Sequence, residues 1–193
     1  NYFFALKKDN LVDRQMTQDL GNYYYKIRNG LSASKSPKEY GAFPFDPYSH
    51  TPSHSGAQQP GMTGQVKEEI LTRFGEFGCF VDKGCITFNP SLLLKEEFLT
   101  QKKTFTYFDV SKTKRDLEVN ANQLAYTFCQ IPIIYSLFEN DNYINILFSN
   151  NTNIEIAGNV IDKDKSSCIF NRGGMVKQIE FFVNQKFLFN NIV

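Results

Sequence analysis

Apolar side chains recur every three or four residues early in the chain and at roughly every second residue later, so two kinds of structure are written into one sequence. Over residues 11–28, Val12, Met16, Leu20, Tyr23, Tyr24 and Ile27 keep the helical period. Asp9 or Asn10 stands where an N-cap is needed, and Asn29-Gly30 stops the helix. Ser36-Pro37-Lys38-Glu39 has capping-box spacing with proline at the first helical position, which predicts one short helical turn. Val66, Ile70, Leu71 and Phe74 predict a second amphipathic helix that ends at Gly75 or Gly78.

After Gly78 the period shortens to that of strands. Predicted strands cover residues 79–81, 85–88, 104–110, 117–119, 124–130, 133–138, 143–148, 153–156, 168–170 and 176–183, divided by Asn, Asp and Gly clusters. Pro132 cannot donate to a ladder, so it is expected at a bulge, a strand start or a sheet edge. The expected class is α+β, mainly β: an antiparallel β-sandwich over residues 78–193, preceded by two amphipathic helices. Residues 1–77 read as a helical segment with a polar loop at 46–65. Two helices and a loop cannot close a core by themselves, so their apolar faces must pack on the sandwich, on a partner chain or on further helices. Helix 11–28 is expected to expose Val12, Met16, Leu20 and Ile27 unless something covers them.

Charge excludes more than it selects. The chain has 21 Lys+Arg against 20 Asp+Glu, spread without blocks, which argues against a nucleic-acid footprint or a membrane-surface patch. No apolar run reaches the roughly 18 residues of a membrane span. Its 19 Phe and 10 Tyr, with no Trp, suit both a β core and a sugar-stacking surface. Cys79, Cys85, Cys129 and Cys168 form no CxxC pair and are expected as buried thiols, although Cys79 and Cys85 flank a turn where a cross-strand disulfide has to be weighed.

Most of the chemistry sits in residues 46–65, where both histidines of the chain lie between glycines and prolines. Gly56, Gly61 and Thr63 have the spacing of a phosphate loop, but Met62 replaces the lysine that would reach the phosphates and no apolar strand precedes it. His50 and His54 would share one face only in a helix, which Pro47 and Pro52 oppose, so no metal is expected there. Asp46, Ser49 and His50 make a triad on paper without a nucleophile-elbow pattern. Glu68 and Glu69 open a helix, where its dipole favours acids without any catalytic role. Paired with Asp46, one of them would supply the two carboxylates of glycoside chemistry. The remaining reading is a neutral donor and acceptor set for sugar hydroxyls: His50, His54, Gln58, Gln59 and Gln65. No catalytic residue is assigned and no cofactor is expected.

Residues 61–75, from Gly61-Met62-Thr63-Gly64-Gln65 to Phe74-Gly75, and residues 80–90, in which Gly84, Ile86, Phe88 and Pro90 stand out, resemble the junction that closes large (α/α)6-barrel glycoside phosphorylases and hydrolases. There a last barrel helix, entered through a glycine-rich loop, runs into a C-terminal β-sandwich. Residues 169–183 likewise resemble the closing hairpin of such sandwiches. The resemblance implies a loop lining a carbohydrate pocket, with the general acid on barrel helices outside this sequence. It also implies that the rest of the barrel, or a partner chain, covers the helices. The alternative expectation is a carbohydrate-binding or protein-interaction module without catalysis, with exposed Tyr or Phe on one sheet face.

Overall fold

The computed structural model describes residues 14–31 and 62–190. It divides into two units, residues 1–74 with 191–193, and residues 75–190. Helix α1 spans Arg14–Leu31 and helix α2 spans Met62–Phe77. In α1 the buried positions are Gly21 and Tyr25, four apart and therefore on one face. Met16 and Tyr23 are 59% and 63% exposed. At about 100° per residue they lie nearly opposite that buried stripe. Leu20 is half-buried, and the side chains of Val12 and Ile27 lie outside the described residues. The sequence carries apolar groups on both sides of this helix. The side with the small Gly21, which permits close approach, is the one that is covered.

Helix α2 ends at Gly78, not at Gly75. Gly78 adopts φ of +65°, and its N–H donates to the Gly75 carbonyl at 3.0 Å. A Cβ on Gly78 would sit 1.9 Å from the Asn89 carbonyl oxygen, so only glycine fits the close approach in which Asn89 N–H donates to the Gly78 carbonyl.

Beyond Gly78 the chain is mainly β, and with its helices the class is α+β. Strands β1 (Cys79–Asp82) and β2 (Cys85–Phe88) form a hairpin whose two-residue turn, Lys83-Gly84, has both φ angles positive, as the right-handed strand twist favours. Next come β3 (Lys103–Phe108) and β4 (Lys114–Val119), a separate two-stranded hairpin. Then follow β5 (Gln123–Phe128), β6 (Ile131–Phe138), β7 (Tyr143–Phe148), β8 (Asn153–Ala157) and β9 (Val160–Ile161). Helix α3 (Lys163–Phe170) and β10 (Val176–Asn184) complete the regular elements. One sheet has the order β1-β2-β9, and the larger has the order β5-β6-β10-β7-β8.

The two sheets meet through aromatic rings. Phe88 stacks on Phe181 at 5.3 Å and meets the edge of Tyr135 at 5.8 Å. Around them Ile86, Ile133, Ile144, Ile146, Ile161 and Ile179 are all essentially inaccessible. Burying side chains of this size stabilises by about 1.5–3 kcal/mol each, so this contact is the core of the unit.

Four expectations need correction. The large sheet is mixed: β10 pairs parallel with β6 and antiparallel with β7, so the β region is not wholly antiparallel. Period-two patterning reports which face is buried, not which strand lies alongside or in which direction. Residues 168–170 are helical. Asp162 caps α3 by accepting from Lys165 N–H, and Ser166 and Ile169, three apart, are its buried face. Residues 169–183 are accordingly a helix end followed by a long central strand, not a closing hairpin. Finally, β5 stops at Phe128 because Cys129 and Gln130 both take positive φ and make the turn to β6. That turn has neither Gly nor Asn to announce it. Pro132 lies at the start of β6 opposite Thr127, where β10 has not yet begun to pair.

Candidate functional site

His50, His54, Gln58 and Gln59 lie outside the described residues, as do Asp46, Pro47 and Pro52. Gln65 lies on helix α2, and its side chain is outside what is described. The predicted polar pocket is therefore not assembled from the described residues. Among those residues no group of three His, Cys, Asp or Glu is placed to hold a metal ion.

All four cysteines are free. Cys79 is buried, while Cys85, Cys129 and Cys168 are half-buried, which corrects the expectation of four buried thiols. The hairpin register opposes Cys79 to Phe88 and Cys85 to Asp82, so the two cysteines are not cross-strand partners. Burial pushes the Cys79 thiol up to about 12, against the lowering effect of a hydrogen bond with Tyr126 and with a further rise from Cys129. A thiol held protonated in this way is a poor nucleophile.

Cys79 borders a buried tyrosine relay. Tyr126 Oη donates to Tyr135 Oη at 3.0 Å, and Tyr135 Oη donates to the Phe77 carbonyl at 2.6 Å. Desolvation pushes both phenols well above their ordinary range, with neighbouring Tyr135 and Cys79 adding to the rise at Tyr126. Phe77 also stacks on Tyr126 at 4.3 Å. Tyr135 thus satisfies a carbonyl that the end of α2 leaves without a helical partner, which is a structural role.

The opposite face of the large sheet is different in kind. Because side chains alternate, residues whose neighbours are buried against Phe88 point the other way. Pairing places Phe182, Tyr143 and Ala157 in one row across β10, β7 and β8, and Glu180, Asn145 and Glu155 in the next. Phe182 and Tyr143 lie parallel at 4.2 Å, and Phe138 meets both edge-on. Glu180 Oε1 accepts from Ser136 Oγ and from Gln123 Nε2, the latter at 3.1 Å, which ties β10 to β6 and β5. Asn145 Oδ1 is buried and has no hydrogen-bond partner. Desolvation first, then the carboxylates of Glu155 and Glu180, raises the Tyr143 phenol above its ordinary value. None of the side chains that pairing places on this face is Lys, Arg or His.

Sequence reasoning did not single out these residues, because alternation marks them only as the less apolar half of each strand. The cue available was Tyr143, Phe138 and Phe182, aromatic residues at positions facing away from the core. A concavity of about 470 Å³ is lined by Lys95, Phe98, Asn122 and Leu137 among others and is open to solvent. Comparison with protein-family models and with curated proteins finds no match to this chain.

Proposed function

We propose that this chain is the C-terminal portion of a carbohydrate-active protein of the glycoside hydrolase or phosphorylase kind. The helices are the last of a larger helical barrel, and the β unit is its base. The observation that carries this reading is the set of large apolar side chains left uncovered on the two helices. Met16 and Tyr23 on α1, and Ile70 and Leu71 on α2 at 52% and 72% exposure, are the surfaces that further barrel helices would cover. The loop with His50, His54, Gln58, Gln59 and Gln65 then lines the sugar pocket, and the acid and base come from helices outside this sequence.

The test compares turnover by the 193-residue chain with turnover by the protein that includes its upstream coding sequence, across a glycoside panel with and without phosphate. The longer form is expected to be active and the chain alone inactive. His54→Ala and Gln59→Ala in the longer form are expected to lower kcat/KM by roughly tenfold or more, the scale of one lost polar contact to a sugar. Turnover by the short chain would end this division of labour, and indifference to both substitutions would remove the loop from the pocket. A second reading, carbohydrate binding without catalysis, is favoured by the aromatic and amide-rich face of the large sheet, which has no cation.

A further inference from the structure

We draw no further inference here: the strongest candidate, the exposed face of the β3–β4 hairpin on which Phe108 stands opposite Lys114, carries nothing because nothing in the structure shows what covers it.

Discussion

The two faces of the five-stranded sheet are built from the same strands and have opposite chemistry. Toward Phe88, residues such as Ile133, Ile144, Ile179 and Phe181 are wholly buried, and the buried Tyr126–Tyr135 relay is satisfied within the protein. Away from it, three rings share a surface with two carboxylates and an amide, and Asn145 Oδ1 is left without a partner. The Tyr126 and Tyr135 hydroxyls on the core side are paired, where an unpaired polar group costs about 1–3 kcal/mol. The other side carries half-buried stacked rings beside Asn145 Oδ1, which is buried without a partner. That contrast separates the face that joins the two sheets from one whose rings and polar groups share a surface.

Three substitutions would break or sharpen this contrast. The largest effect is expected on the core side. Phe181→Ala removes a fully buried ring that contacts both Phe88 and Tyr135, and should lower unfolding free energy by about 3–5 kcal/mol in chemical denaturation. A loss below about 1 kcal/mol would mean the two sheets do not depend on each other for stability. Tyr135→Phe keeps the ring but leaves the Phe77 carbonyl and the Tyr126 hydroxyl short of a partner, so a cost of about 1–3 kcal/mol is expected. Amide exchange near Phe77 should accelerate in that variant more than exchange in β7. The smallest effect is expected from Ile154→Thr. Ile154 alternates onto the core side, but on the edge strand β8, and it is 38% exposed. A change within about 0.5 kcal/mol is expected. A larger loss would show that the core reaches the sheet edge.

Much of the β unit was legible from local pattern. Residues 85–88 and 143–148 form strands with the predicted bounds, because alternation and flanking turn residues agree there. The places where reading failed share one cause. Cys129-Gln130 makes a tight turn without the usual turn residues, and residues 168–170 are too few for any period to show. Two-residue β9 is a strand only because β2 lies beside it, pairing Ile161 with Ile86. For the site, the sequence pointed to the 46–65 loop, whose histidines and glutamines announce themselves by residue type. The ring cluster on the outer sheet face was not legible, since Phe138, Tyr143 and Phe182 mean nothing to one another until β6, β7 and β10 are in register.

By itself, then, the order of residues determined most of the helical and strand segments and two candidate glycines, Gly75 and Gly78, for the end of α2. Those follow from backbone sterics, side-chain alternation and composition, which act over a few residues at a time. Only the tertiary structure decided that β10 inserts between β6 and β7 with one parallel neighbour, and which side of α1 is buried. The same is true of the stacking of Phe182 on Tyr143. Each of these depends on groups far apart in the chain meeting at a few ångströms, where the free energy of burial and hydrogen bonding acts and where local pattern carries no information about the partner.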